Sequence, residues 1–357
     1  MILTYKYRIK DKSAAKHLRA HAVAVNQVWN WCNGYQKDLE RRYRAGAPKR
    51  KWASHFDLAK ACKGVGKDLG LHQQTVQDVC KQFVTSRNKR KASLRFRSST
   101  GAQRALGWVP FQAQSRTVEG NSVVYLGKRF RWFGNKRRPL PENAKGGAFV
   151  EDARGKWYIT FHVEVADLPT GANKVGIDLG LKTLATLSDG SKIDAVQPVR
   201  LWAQKLAVAQ RAGNKKRAKA IHAKVKNIRA DHLHKASAKI AKDNSMIVVG
   251  NVSSSGLGKT KMAKSIYNAG WSMLKEMVCY KARRHGASFI EVNEAYTTVT
   301  CSACFTRSGP KGQKGLRIRE WACDACGSVH DRDVNAAKNI LARSAPRRVD
   351  ESWRTAA

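Results

Sequence analysis

Four cysteines set the tightest constraint on what this chain can fold into. Cys301 and Cys304 form one C-x2-C pair, Cys323 and Cys326 form a second, and 18 residues lie between them. Four thiolates at this spacing can close on one tetrahedral zinc ion, with Zn–S bonds of about 2.3 Å. Such a set leaves no open position for water, so the role it predicts is structural. The intervening segment, FTRSGPKGQKGLRIREWA, is basic and glycine-rich, as a zinc-ribbon loop near nucleic acid would be. Paired C-x2-C motifs without a secretory segment point to metal rather than disulfides. Four more cysteines, Cys32, Cys62, Cys80 and Cys279, are scattered and read as small buried hydrophobes.

Charge is the second constraint. Lys and Arg total 68 against 26 Asp and Glu, a formal net charge of +42. That excess implies a polyanionic partner, nucleic acid above all, and argues against an enzyme of small neutral metabolites. Hydrophobic residues at 42% suffice for a core and exclude disorder throughout. The start, MILTYKYRIKDK, has no apolar h-region, and no run approaches the ~18 apolar residues of a membrane span. The expectation is a soluble, cytoplasmic, nucleoid-associated protein without a membrane partner.

Along the chain the hydrophobic period changes twice. Residues 2–9 alternate as a strand. Leu18, Ala22, Val25, Trp29 and Cys32 then mark a helix, with Trp29 and Trp31 both expected in the core. A second helix is expected at about 71–86, and 87–104 reads as a basic connection rather than a packed element. Short strands follow at Val123–Tyr125, Phe130–Phe133, Ala148–Glu151 and Trp157–Val165. Together with the first strand they predict a small β-barrel carrying a helical insertion. Lys128, Arg129, Arg131, Lys136, Arg137 and Arg138 interleave with Phe130, Trp132 and Phe133, a pattern suited to backbone contacts and base stacking.

Beyond a linker at 168–173, a βαβ-like region is expected, with strands at Lys174–Leu179 and Thr183–Ser188. Residues 199–243 read as a helical segment broken near Gly213–Asn214. Lys215, Lys216, Arg217, Lys219, Lys224, Lys226 and Arg229 give it charge among which almost no acidic residue alternates, so it predicts a phosphate-tracking helix. A strand at Met246–Val249, a helix at Tyr267–His285, a strand at Ser288–Asn293 and a last helix at about Val334–Arg343 complete the reading.

Two carboxylates stand out. Asp178 lies in VGIDLG, at the end of an apolar strand. Asp333 lies in HDRDVNAAKNIL, at a helix start, where Asp331 and Asp333 could equally serve as caps. Ala336 and Ala337 would let that helix pack closely on a sheet. Hard oxygen ligands suit Mg²⁺, and a pair of such ions would clamp an in-line phosphodiester hydrolysis.

GIDLG at 176–180, IVVGNVSSSGL at 247–257, AYTTVTCSAC at 295–304 and CDACGSVHDRDVNAAKNIL at 323–341 resemble the transposon-encoded TnpB family. These are compact RNA-guided DNA nucleases related to type V CRISPR effectors. The likeness is specific over 174–341 and rests on organisation over 1–170. It implies an α+β multidomain fold. A RuvC-like, RNase H-type nuclease domain (174–300 and 329–345) would carry an inserted zinc ribbon (301–328). A wedge-type β-barrel (1–10 and 104–168) would carry a helical recognition domain (11–103), and 346–357 would be a flexible tail. Asp178 would match the first catalytic aspartate and Asp333 the last.

One position departs from the family pattern. Where a catalytic glutamate usually follows the IVV strand, this chain has Gly250 and then Asn251. Either the site is dead, leaving an RNA-guided DNA binder, or the acid comes from elsewhere. In an RNase H-type sheet the 288–293 strand should lie beside the IVV strand, about 4.8 Å away. That places Glu294 level with the missing acid, and Glu291 on the opposite face. The resemblance then implies Mg²⁺ held by Asp178, Glu294 and Asp333. It also implies a transposon-end-derived guide RNA on the basic surfaces 87–138 and 199–229, and target double-stranded DNA beside a short adjacent motif. A monomer or weak dimer is expected. Rival readings are a strand-transferring RNase H-type transposase and a zinc-ribbon RNA-binding protein.

Overall fold

The computed structural model describes residues 1–11, 13–47, 51–134, 139–252, 269–315 and 317–344. Lys136, Arg137 and Arg138, residues 253–264 and the 346–357 segment expected as a tail lie outside them. The chain divides into two units, Met1–Val165 and Ala166–Ala357.

In the first unit, β1 (Ile2–Arg8) is followed by α1 (Ala14–Arg44), α2 (His55–Ala61), α3 (Val65–Asp68) and α4 (Gln73–Arg90). The stripe Leu18, Val25, Trp29 and Cys32 is buried, as its spacing requires. Trp31 is not in the core. It is 41% exposed and stacks on Tyr35 at 5.3 Å, one helical turn away, because its position faces away from the stripe. Helix α2 is too short to show a period, and a reciprocal cap between Ser54 and Asp57 starts it.

The stretch after α4 is packed, contrary to the expectation of a bare connection. Asn26, Asn30 and Asn33 lie on one face of α1. They bond Ser99 Oγ (3.1 Å), the Arg97 carbonyl (2.9 Å) and the Leu94 carbonyl (3.0 Å). The Arg97 guanidinium lies over Trp29 at 3.5 Å, and Arg104 pairs with the buried Glu151 at 2.7 Å. Arg97 and Arg104, part of the charge assigned here to nucleic acid, are therefore spent inside the fold, whereas Lys89, Arg90, Lys91 and Arg95 stay exposed.

The strands of this unit are β2 (Trp108–Phe111), β3 (Arg116–Glu119), β4 (Ser122–Tyr125), β5 (Lys128–Arg131), β6 (Gly147–Glu151) and β7 (Trp157–Glu164). They form a four-stranded sheet, β1-β7-β6-β2, and a three-stranded sheet, β3-β4-β5. Among the described residues the two are bridged at Ile9 and Trp132, flanked by the bonds from Lys10 N–H to the Arg131 carbonyl (2.8 Å) and from Phe133 N–H to the Arg8 carbonyl (2.9 Å). Among the described residues no ladder joins β2 to β3, so the barrel is not closed. A 3₁₀ turn at Ala113–Ser115, fixed by reciprocal bonds between Gln112 and Ser115, separates them. Between the sheets lie Phe111, Tyr125, Phe130 and Phe149, with ring centroids 5.0–6.1 Å apart.

Trp132 belongs to that core. It is 1% exposed, so it cannot stack on a base as the sequence pattern suggested. The alternation of β5 turns Phe130 inward and Arg129 and Arg131 outward. Phe133 is the exposed aromatic, with Arg8 and Lys10 about its ring.

The second unit is built on a five-stranded sheet of order β10-β9-β8-β11-β12. The strands are β8 (Asn173–Leu179), β9 (Thr183–Leu187), β10 (Lys192–Asp194), β11 (Asn244–Gly250) and β12 (Ser288–Val292). The first three run antiparallel, and β11 and β12 add parallel to β8. Crossovers supply the parallel strands. Helices α5 (Pro198–Arg211) and α6 (Lys215–Asp243) precede β11, and α7 (Trp271–Arg284) precedes β12. The break between α5 and α6 falls at Gly213, whose φ is +61°.

Helix α8 (Arg332–Ala342) lies on β8. Gly176 makes this possible: a Cβ there would collide with the Ala337 carbonyl and sit 2.8 Å from the Leu341 Cβ. Ala336 and Ala337 are fully buried on the facing side. Small residues on both elements thus bring the helix bearing Asp333 onto the strand bearing Asp178. Among the described residues, no helix is long and apolar enough to cross a membrane.

Candidate active site and metal centre

Strand β8 carries Asp178 one residue before its end, opposite Thr186 of β9. Burial pushes the Asp178 carboxyl up to about 7, and the negative charges of Asp333 and Glu294 push in the same direction. Arg332 opposes them. The charges of Asp333 and Glu294 therefore both bear on Asp178, although the first and last of these acids lie 155 positions apart.

Glu294 gets there through Gly250. Strands β11 and β12 pair in register, with Gly250 opposite Val292. Asn251 N–H donates to the Val292 carbonyl at 2.8 Å, and Asn251 Oδ1 accepts from Glu294 N–H at 3.4 Å. The turn folds the Glu294 side chain back over Gly250. A Cβ built on Gly250 would collide with Glu294 Oε2 and lie 3.1 Å from the Glu294 Cβ. The carboxylate of residue 294 fills the room that a side chain at 250 would need. Burial raises its pKa, opposed by Lys275 and by a backbone bond from Val252. Glu291 is exposed and pairs with Lys275 at 2.8 Å, and it is not among the charges that act on Asp178.

Asp331 and Asp333 separate cleanly. Asp331 is the N-cap of α8, accepting from the N–H groups of Asp333 and Val334 at 2.9 Å each, and it also pairs with Lys192 at 2.7 Å. Burial raises its pKa, but the Lys192 and backbone bonds outweigh that and bring it below the ordinary carboxylate range. Asp333, in the first turn, makes a longer contact to Arg319, 3.3 Å. One acid is consumed by capping, and the charge of the other bears on Asp178.

The four cysteines of the two C-x2-C pairs converge. Their Sγ atoms all lie within 4.8 Å of one another, with Cys301 to Cys326 at 3.7 Å and Cys304 to Cys323 at 3.6 Å. A tetrahedron with metal–sulfur bonds of about 2.3 Å has edges of about 3.8 Å, so the set fits zinc. Two equivalent turns build it. Phe305 N–H donates to the Cys301 carbonyl at 2.9 Å and Gly327 N–H to that of Cys323 at 2.8 Å. Strands β13 (Glu320–Ala322) and β14 (Val329–Asp331) close the second turn. His330 Nε2 lies 3.0 Å from Cys301 Sγ, in the position of an outer partner. The acids are looser than the thiols, since among the described residues they form no group within 4.8 Å.

Sequence reasoning missed several residues. Asn335 and Asn339, one turn apart on α8, both donate to the carbonyls of Thr297 and Thr300 at 2.7–3.2 Å. These bonds tie the turn that follows Glu294 to the helix bearing Asp333. Their four-residue spacing on a face of buried alanines was the available signal. Tyr296 and Phe305 are non-glycine residues at φ +65° and +64°, 59% and 64% exposed. They line one cavity of about 760 Å³ with Asn293, Arg307 and Arg343, and the Arg307 guanidinium lies over Tyr296 at 4.3 Å. Gly327 holds the place in the second turn that Phe305 holds in the first. No sequence signal marks that strain.

The basic candidates fare unequally. Arg129 pairs with Glu119 at 2.6 Å and Arg131 grips Asp11 at 2.8 Å, whereas Lys128 is exposed. Lys215, Lys216, Arg217, Lys219 and Lys224 are exposed on the first turns of α6. Ala209, Ile221 and Val225 hold that helix to α5.

A family model described as "Cas12f1-like, TNB domain" matches residues 271–340, and one described as "Probable transposase" matches 158–260. A "Putative RNA-guided DNA endonuclease" of Streptomyces pristinaespiralis is 35% identical, over 95% of this chain and 88% of its own. The "Putative RNA-guided DNA endonuclease InsQ" of Escherichia coli K12 is 29% identical, over 76% of this chain and 73% of its own. The "CRISPR-associated endodeoxyribonuclease Cas12f1" of Sulfoacidibacillus thermotolerans is 27% identical, over 57% and 54%. A relative of that identity and coverage, with both domain matches falling on the acidic cluster and the cysteine set, places this chain in the TnpB family of RNA-guided DNA endonucleases.

Proposed function

We propose that this protein is an RNA-guided DNA endonuclease whose RuvC-like site uses Glu294 in place of the glutamate absent at Gly250. The observation that carries the reading is the Glu294 carboxylate seated in the side-chain space of Gly250, close enough to Asp178 to raise its pKa. Asp178, raised by the charges of both Asp333 and Glu294, suits a divalent cation, which would relieve that repulsion. Asp178, Glu294 and Asp333 would hold Mg²⁺, which when bound activates water and stabilises the leaving oxygen. The protein's own contribution is to orient these acids. Gly176 seats the helix of Asp333 on the strand of Asp178, and Asn335 and Asn339 hold the turn after Glu294 to that helix. The four cysteines would hold zinc as a structural ribbon.

The guide RNA is expected on α6. Its first turns carry Lys215, Lys216 and Arg217, where the helix dipole disfavours cations. No acid lies between Lys215 and Ala230 to balance them. A bound phosphate backbone reverses that cost. Base pairing would then supply sequence specificity, and the protein would read a short motif beside the target.

The test uses protein purified with its co-expressed RNA, given Mg²⁺ and a guide-matched plasmid library. Wild type is expected to cut, and Glu294→Gln to bind the target without cutting. The double variant Gly250→Glu/Glu294→Ala, which returns the acid to β11, is expected to regain at least part of the cleavage. Target binding without cleavage by wild type would favour the second reading, a nuclease-inactive RNA-guided binder, for which Gly250 is the evidence.

A further inference from the structure

Three of the scattered cysteines are not scattered in space. Cys32 from the middle of α1, Cys62 from the C-cap of α2 and Cys80 from α4 bring their Sγ atoms within 4.8 Å of one another. Cys32 and Cys80 are 3.7 Å apart, the same separation as in the ribbon set. Their exposures are 0, 1 and 0%. Packing explains a pair of cysteines side by side. It does not explain three thiols from three helical segments pointing at one spot. Among the described residues no His, Asp, Glu or fourth Cys joins them.

We propose that Cys32, Cys62 and Cys80 form a second metal site, a three-thiolate site for a soft ion such as Cu(I) or Cd(II). Thiolate donors select soft, thiophilic ions over Mg²⁺ or Ca²⁺. A metal–sulfur bond of about 2.3 Å gives a trigonal site edges of about 4.0 Å, close to the spacing here. Phe83 and Val79 on α4 and Val28 and Trp29 on α1 belong to the same buried apolar core, which keeps water from the role of fourth ligand. One ion would join α1, α2 and α4, with Cys62 fixed by N–H bonds from its own amide to the Leu58 and Lys60 carbonyls. The proposal concerns the first unit alone and is independent of the nuclease reading.

Cadmium is the probe, because it substitutes in both thiolate sets. The full chain is produced with cadmium in the medium and its metal content measured alongside its ¹¹³Cd spectrum. Wild type is expected to hold two cadmium ions per chain, with two resonances, one from four sulfurs and one from three. Cys62→Ala is expected to hold one ion and keep only the four-sulfur resonance, which also shows that the variant still folds around its ribbon. Cys304→Ala is expected to keep the three-sulfur resonance. Wild type with one ion per chain and a single four-sulfur resonance overturns the site. So does a Cys32–Cys80 disulfide found by peptide mapping of the same sample.

Discussion

At the residue scale, the decisive fact is that a glycine and a glutamate 44 positions apart share one volume. Gly250→Ala tests this without touching an acid. Its Cβ would displace the Glu294 carboxylate, so cleavage is expected to fall at least about tenfold while guide-dependent target binding is unchanged, as read by cleavage and gel-shift assays on the same preparation. Asp178 adds a pH signature. Its folded-state pKa is raised from 3.8 to about 7, so the folded state binds the extra proton between those values. Without Mg²⁺, its contribution to stability is lost as pH rises from about 4 to about 7, at most about 4 kcal/mol. Asp178→Asn is expected to melt higher than wild type at pH 8 and no higher at pH 4, by calorimetry with zinc retained and Mg²⁺ absent. Tyr296 and Phe305 present a third case. Each holds an exposed ring at a strained φ, and replacing Phe305 by glycine is expected to stabilise the ribbon by about 1 kcal/mol. If the rings stack on bases, the same substitution lowers affinity for single-stranded DNA by about 1–3 kcal/mol.

At the element scale, α8 on β8 assembles the site. Gly176→Val would place a branched side chain against the Ala337 carbonyl and the Leu341 backbone, neither of which is a flexible end. A loss of at least about 2 kcal/mol is expected by denaturant unfolding, with cleavage lost before target binding, because the carboxylates separate before the fold opens. Asn339→Ala leaves the buried carbonyls of Thr297 and Thr300 with one donor fewer and is expected to cost about 1–3 kcal/mol. Longer elements were legible in the sequence because their periods are strong: α5, α6, β8, β9, β11 and β12 fall within a few residues of expectation, and the stripe to Cys32 marks α1, which runs on to Arg44. Helices α2 and α3, of 7 and 4 residues, and strands β2, β3 and β10, of 3 or 4, are too short to show a period. The 87–104 stretch was misjudged for another reason. Its order comes from asparagines on α1 that bond its backbone, and composition carries no trace of that.

At the scale of the whole molecule, charge governs association. With a net charge of +42, nucleic-acid affinity is expected to fall steeply with salt. Lys219→Ala/Lys224→Ala is expected to reduce the slope of log K against log salt by roughly 1–2, measured by filter binding of the guide RNA, whereas Arg131→Ala moves it less because Asp11 already neutralises that side chain.

The sequence alone determined the features that chemistry fixes locally. The cysteine spacing marked a four-thiol set, the excess of Lys and Arg pointed to a polyanionic partner, and the motifs around Asp178 and Asp333 marked the family. Tertiary structure decided what depends on positions far apart in the chain. It separated Asp331 from Asp333 by giving one to a helix cap. It set Glu294 in the space left by Gly250, buried Trp132, left the barrel open and drew Cys32, Cys62 and Cys80 to one point. Each of these turns on which side chain occupies a given volume. Close packing settles that only when elements distant in sequence meet.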